Sequence, residues 1–197
     1  MSEIKHEKGK EGVRLAHLYL ISTLKFDNFW DIYDKSNRTR ADRIDGGSHD
    51  YDLCCAYIEK FNPLTKRPVY VEVKNYSSLA DLGSLYDDFV LRSFSVFLNE
   101  QKNKIENYSH YLFFVTHPFY CSKFDELRKM DYIRSLIKKS PNQYGIGGNN
   151  KLNEIKEFCS LLWIIIFCRE PQELFFHYNR FEIIDYLSRV FQNDNTL

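Results

Sequence analysis

Residues 69–74 read Val-Tyr-Val-Glu-Val-Lys, and the alternation of valine with larger or charged residues makes this the most informative stretch of the chain. Successive side chains of a β-strand point to opposite faces, so the pattern predicts a strand on which Glu72 and Lys74 share one face. Burying two charges side by side costs free energy unless they serve a purpose. The same Glu-x-Lys spacing occurs at three other places, but only in a charged tail or in helix-like stretches. There, both residues are routinely solvated.

A second strand-like run precedes this one at residues 50–58, and the turn-like residues 62–68 join the two. Consecutive strands with a short connection usually pair as an antiparallel hairpin. Such a hairpin would bring Asp52, near the start of one strand, beside Glu72 and Lys74, near the end of the other. The sequence therefore predicts one patch that contains two acids and a lysine.

An Asp on one strand followed by Glu-x-Lys on the next resembles the PD-(D/E)XK nuclease superfamily, which has the restriction-endonuclease-like fold. Many members also carry a Glu on the first helix, and Glu11 in the helix-like residues 9–20 matches it. The resemblance covers residues 7–120 in the order of elements. Its signature is the ordered set of Glu11, Asp52, Glu72 and Lys74.

One departure concerns the acid of the first strand, because Tyr51 replaces the proline that gives the motif its name. The substitution leaves open whether Asp50 or Asp52 is the ligand. We prefer Asp52, because the apolar strand continues directly from it and it alternates in phase with Cys54.

The predicted fold class is α/β: a restriction-endonuclease-like core with a mixed central sheet of about four strands, flanked by helices, and a C-terminal helical extension. The core has the order helix, strand, strand, strand, helix, strand. Its predicted elements are a helix at 10–25, strands at 29–33, 50–58 and 69–74, a helix at 79–107 and a strand at 110–116, with a polar loop at 36–48. On the first helix, we expect Glu11 to begin a core-facing stripe with Leu15, Leu18 and Tyr19.

Beyond the core, residues 122–139 look helical, and the Gly- and Asn-rich residues 140–150 form the clearest break in the chain. We therefore expect a core at 1–139, a flexible connection at 140–150, and an extension at 151–197 that packs on the core or at an oligomer interface. The extension is predicted to contain helices at 152–168, 171–178 and 181–191.

The composition indicates a folded chain of one domain, since the 197 residues are 44% hydrophobic and 16% aromatic. Lysine and arginine together number 27, as do aspartate and glutamate, so no global positive field attracts nucleic acid. DNA contacts would have to come from a local basic cluster. The alternative interpretation is that this cluster is an ordinary solvated loop. The cluster consists of Lys35, Arg38, Arg40 and Arg43.

Other classes of site lack a sequence signal. The five cysteines and six histidines show no zinc-ligand spacing, and no glycine-rich nucleotide-binding motif is present. The N-terminus has no apolar signal core, and the longest apolar run, at 161–168, is far shorter than the roughly 20 residues that span a bilayer. We therefore expect a soluble, cytoplasmic protein without a nucleotide cofactor.

The acids suit Mg²⁺, with Mn²⁺ as a substitute ion, because Mg²⁺ is usually held by one or two carboxylates and the substrate phosphate. The resemblance implies Asp52, Glu72 and the Val73 carbonyl as ligands, Lys74 near the scissile phosphate, and Glu11 in support. Each residue also has an ordinary interpretation: Glu72 and Lys74 as an exposed salt bridge, Asp52 as a turn acid, and Glu11 as a helix-dipole acid.

The leading hypothesis is a Mg²⁺-dependent endonuclease acting on double-stranded DNA, in restriction, antiviral defence, recombination or repair. One site cuts one strand, so duplex cleavage suggests a homodimer or a larger complex. The alternatives are a catalytically silent module with the nuclease fold, inside a defence or DNA-processing complex, and a ribonuclease with the same metal centre.

Overall fold

The fold is α/β, with a mixed five-stranded sheet flanked by helices. The computed structural model describes residues 2–24, 26–33, 37–59, 62–75, 82–116, 126–147 and 152–167. Within these ranges the helices are α1 (Ser2–Leu24), α2 (Leu82–Lys102), α3 (Met130–Lys139) and α4 (Leu152–Leu161). The strands are β1 (Asp27–Asp31), β2 (Arg40–Asp42), β3 (Ser48–Asp50), β4 (Leu53–Glu59), β5 (Asn62–Lys74), β6 (His110–Val115) and β7 (Leu162–Ile166).

The strand order in the main sheet is β1-β4-β5-β6-β7. Strand β4 is antiparallel to both of its neighbours, β1 and β5, whereas β5, β6 and β7 run parallel to one another. Parallel neighbours need a crossover, and α2 supplies the one between β5 and β6. Strands β2 and β3 form a separate two-stranded sheet.

Two apolar clusters cover the two faces of the main sheet. On one face, α1 packs against the β5 valines and against Leu112 and Phe114 of β6. On the other face, α2, α3 and α4 pack against Tyr111 and Phe113. Every residue of β6 is buried, as expected for a strand covered on both faces.

The buried side of α1 differs from the predicted stripe. Among the α1 residues whose burial is described, Gly12, Val13, Ala16 and Leu20 are buried, whereas Glu11 is exposed and Leu18 is 47% exposed. The expectation that Glu11 begins a core-facing stripe with Leu18 was therefore wrong. The side of α1 that faces the sheet is determined by its packing against the β5 valines, and it is not the side predicted from the spacing of apolar residues.

The structure confirms the predicted hairpin of β4 and β5 but shortens its connection. Residues 62–68, predicted as a turn, belong to β5 and pair with β4, while the parallel pairing of β5 with β6 begins only at Val69. Among the described strands, this part of β5 pairs only with β4, so its prolines lie at an edge of the sheet. Prolines are tolerated at such edges. The loop predicted at 36–48 likewise contains β2 and the start of β3.

The prediction for the C-terminal part of the described chain differs more from the structure. The helix predicted at 152–168 ends at Leu161, and the next residues form β7, the fifth strand of the sheet. Phe158 of α4 is also fully buried in the main core. These residues therefore extend the sheet instead of forming a purely helical extension.

The helix predicted at 122–139 begins at Met130 among the described residues. The helices predicted at 171–178 and 181–191 lie outside the described residues. None of the described helices combines the length and apolar character needed to cross a bilayer.

Candidate active site

The predicted acidic patch forms where β5 ends and β4 begins. Leu53 pairs with Val71, so Asp52 lies across from Glu72. The backbone N–H of Val73 donates a hydrogen bond to Asp52 Oδ2 at 2.8 Å, and Ile32 N–H donates to the Asp52 carbonyl at 3.1 Å. The carboxylate of Asp52 is thus hydrogen-bonded to β5, and its backbone carbonyl is hydrogen-bonded to the residue that follows β1.

Glu72 is a buried carboxylate with a donor on each oxygen. Its exposed fraction is only 9%. Lys74 Nζ donates to Oε1 at 2.7 Å, and His49 Nε2 lies 3.2 Å from Oε2. Burial raises the pKa of Glu72, but the hydrogen bond from His49 and the charge of Lys74 outweigh it and hold that pKa below its ordinary value.

Asp52 shifts in the opposite direction. Burial, followed by the negative charge of Glu72, raises the pKa of Asp52 to about 6, against smaller opposing effects of the Val73 N–H and Lys74. Two carboxylates that repel each other at one patch are stabilised as anions by a cation between or beside them. Asp50 lies apart, because it is exposed in β3 and pairs with Arg40 of β2.

The first helix approaches the same edge of the sheet through two glycines. A Cβ at Gly12 would lie 2.6 Å from the Asn75 Cβ and 3.2 Å from Val73 Cγ1, and one at Gly9 would lie 2.8 Å from the Tyr33 hydroxyl. A larger residue at Gly12 would push α1 away from β5, whereas one at Gly9 would require the Tyr33 side chain to move. Glu11 lies between these close approaches and is exposed.

Two site residues were missed by the sequence analysis. His49 contacts Glu72, and Arg92 Nη1 of α2 lies 3.3 Å from His49 Nδ1. The available signal for Arg92 was an Asp88/Arg92 pair, four residues apart, inside an otherwise apolar helical stretch. For His49 the only signal was its proximity in sequence to Asp52.

The predicted basic cluster is only partly directed to solvent. Arg38 and Arg40 are exposed, and the Arg38 guanidinium lies 4.7 Å from the centre of the Trp30 ring. Arg43 contacts neighbouring side chains, since it forms an ion pair with Asp45 at 3.2 Å and lies over the ring of Tyr144. Lys35 lies outside the described residues.

The fit of this patch to a divalent ion depends on its two carboxylates. Among the residues that the structure describes, no group of three or more His, Cys, Asp or Glu side chains is arranged to hold a metal ion. Mg²⁺ commonly uses only one or two protein carboxylates, and an ionised carboxylate has about four acceptor sites. Asp52 and Glu72 supply oxygen atoms of the kind that Mg²⁺ prefers, and each already accepts hydrogen bonds within the chain.

Comparison of the chain with protein-family models, curated proteins and solved structures finds no match.

Proposed function

We propose that this protein is a Mg²⁺-dependent nuclease that hydrolyses phosphodiester bonds of double-stranded DNA. The observation that carries the proposal is the shared patch of Asp52, Glu72 and Lys74 at the ends of two paired strands, with the Lys74 ammonium 2.7 Å from Glu72. The patch lies at the carboxyl end of β5, beside the parallel strand β6, where ligands of open α/β sheets usually bind.

The proposed roles follow from the charges. Asp52 and Glu72, with the Val73 carbonyl, would hold Mg²⁺, which supplies positive charge to the reacting phosphate and the leaving oxygen. Lys74 presents a compact ammonium to a phosphate oxygen at the same patch. Glu11, next to the close approach at Gly12, is proposed as a supporting carboxylate.

Arg38 and Arg40 are proposed to bind the DNA backbone. Both are exposed; Arg38 lies two residues before β2, and Arg40 is the first residue of β2. Strand β2 pairs with β3, the strand that leads to Asp52. Exposed guanidinium groups bind phosphates without sequence preference, so this contact would position the duplex instead of specifying its sequence. Cleavage of both strands then requires two copies of the site, in a homodimer or a larger complex.

A second candidate function is a catalytically silent module with the same fold. It is favoured by one observation, namely that both oxygens of Glu72 already have donors within the chain. A carboxylate that serves only as a structural ion-pair partner would show the same contacts.

Cleavage assays separate these functions. Supercoiled plasmid, linear duplex and RNA are incubated with the protein in Mg²⁺, in Mn²⁺ and in chelator. We expect metal-dependent nicking or linearisation of DNA, and Glu72→Gln should lower the rate by at least about 100-fold, because a metal ligand is lost.

The matched control is Glu100→Gln, which changes a partly buried glutamate that accepts hydrogen bonds from Ser109 and Tyr111. It should cleave at the wild-type rate. Intact DNA and RNA at high protein concentration would favour the silent module. Cleavage of RNA alone would make the protein a ribonuclease with the same site.

A further inference from the structure

His49 connects the acidic patch to helix α2. Its side chain is only 12% exposed, and its two ring nitrogens face different partners. Nε2 lies 3.2 Å from Glu72 Oε2, and Nδ1 lies 3.3 Å from Arg92 Nη1. The ring also packs edge-on against Tyr51, at 4.5 Å between ring centres.

The partners of His49 determine its tautomer. A guanidinium group only donates hydrogen bonds, so Arg92 requires an unprotonated Nδ1 as the acceptor. The ring proton must then be on Nε2, which donates to the carboxylate of Glu72. Of the two tautomers, this geometry therefore selects the one with the proton on Nε2.

Arg92 is itself held in place by two residues. It forms an ion pair with Asp88 one turn earlier in α2, and its Nε donates to the Tyr144 hydroxyl at 3.1 Å. The Tyr144 hydroxyl in turn donates to Asp88. The three side chains thus form a closed set that fixes the direction of the guanidinium group toward His49.

The pair of strands β2 and β3, in which His49 lies, also contacts this helix. Tyr51 Oη lies 3.1 Å from Ser93 Oγ, and Ile44 N–H donates to the backbone carbonyl of Ser95 at 3.2 Å. Helix α2 therefore contacts the segment before His49 through the Ile44 backbone, the residue Tyr51 after it through its hydroxyl, and the His49 ring through Arg92. Such an arrangement limits the movement of the imidazole relative to Glu72.

We infer that His49, held by Arg92 as the Nε2–H tautomer, is a positioning residue that fixes the orientation of the Glu72 carboxylate in the proposed nuclease site. This inference rests on the proposed function for its catalytic consequence. With Lys74 on one oxygen and His49 on the other, the carboxylate plane has a single favoured orientation. Groups that orient a metal-binding carboxylate typically change metal affinity or activity by about 10–100-fold when removed.

The first test examines the tautomer and needs neither metal nor substrate. Nitrogen-15 NMR of the histidine rings distinguishes protonated from unprotonated nitrogens, and the His49 signals are identified by their loss in His49→Gln. We expect a protonated Nε2 and an unprotonated Nδ1 at neutral pH. Arg92→Met should produce a mixture of tautomers, whereas Arg134→Met, which changes an exposed arginine of α3, should not. An Nδ1–H form in the wild type would overturn the inference.

The second test measures the Mg²⁺ concentration at half-maximal cleavage. It should rise at least about 10-fold in His49→Phe and in Arg92→Met, and less in His49→Gln, whose amide N–H can still donate to Glu72. Thermal melting checks that the variants fold, and Arg92→Met decides the question if His49→Phe does not.

The outcomes of the second test distinguish the two proposals. Wild-type cleavage with unchanged Mg²⁺ dependence in both His49→Phe and Arg92→Met would overturn the positioning role alone. No cleavage by the wild type would overturn the proposed function and, with it, any catalytic role for His49.

Discussion

The two faces of β5 are buried by different kinds of contact, apolar packing on one face and hydrogen bonds to a carboxylate on the other. Val69, Val71 and Val73 lie against α1 and are at most 9% exposed, in a cluster of apolar side chains. Glu72 is equally buried on the opposite face, but it is surrounded by donors from β3 and from its own strand. The comparison shows that equal burial has two different causes in one strand.

The apolar face is stabilised by area alone, since apolar burial is non-directional and contributes about 25 cal/mol per Å². The charged face requires particular partners at particular atoms, because a buried ion without them is strongly unfavourable. A valine can therefore be exchanged for another apolar residue with modest cost, whereas each member of the charged set depends on the others.

The largest expected effect comes from placing a charge on the wrong face. Val71 is fully buried against apolar side chains, so Val71→Asp should lower the free energy of unfolding by more than about 4 kcal/mol. We expect little folded protein by circular dichroism. The control Glu72→Gln, one residue away, should remain folded, and a Val71→Asp variant that melts like wild type would disprove the packing of α1 on this face.

An intermediate effect should follow from breaking the ion pair on the charged face. Lys74→Met removes the cation from buried Glu72 and should cost about 2–4 kcal/mol, measured by urea unfolding. The double variant Glu72→Leu/Lys74→Met should recover to within about 1 kcal/mol of wild type, since removing a whole buried pair is often neutral. Both variants should lack cleavage. A double variant less stable than Lys74→Met would show that Glu72 stabilises the fold through contacts other than Lys74, such as His49.

The smallest effect concerns the pH dependence of stability. The pKa of Asp52 rises from 3.8 to about 6 on folding, so the native state binds more protons between these values. This group therefore destabilises the native state as pH rises through about 4 to 6, and the cost is fully present above about pH 7. Asp52→Asn should thus be more stable than wild type by about 2 kcal/mol at pH 7.5, because a shift of one unit corresponds to 1.36 kcal/mol and the residue is partly solvated.

At pH 4, the stabilities of the wild type and of Asp52→Asn should converge, because Asp52 is then protonated in the native state. Thermal melting of both proteins across this range checks the prediction. A difference that is constant with pH would mean that Asp52 does not titrate differently in the folded protein.

Local pattern was sufficient where one strand has two distinct faces. The alternation at 69–74 predicted β5 and the side shared by Glu72 and Lys74, and the hairpin rule placed Asp52 across from Glu72. The apolar run that forms β7 was misread as helix, because a short, continuously apolar segment has no period that separates a buried strand from a buried helix. Its pairing with β6 decided between them.

The donors around Glu72 could not be predicted in the same way. His49 and Arg92 lie 23 positions before and 20 positions after Glu72 in the chain, and no periodic pattern links them. The exposure of Glu11 was also unpredictable, since helical periodicity allowed more than one buried side for α1. Which side is buried depended on the close approach at Gly12.

The sequence by itself determined the alternating strand and the acids and amine that share its polar side, because side-chain direction in a strand follows from backbone geometry. Only the tertiary structure decided which groups bond to those charges, which side of α1 is buried, and that β7 joins the sheet. Those outcomes depend on contacts between segments far apart in the chain, and their free energies exist only once the segments are packed together.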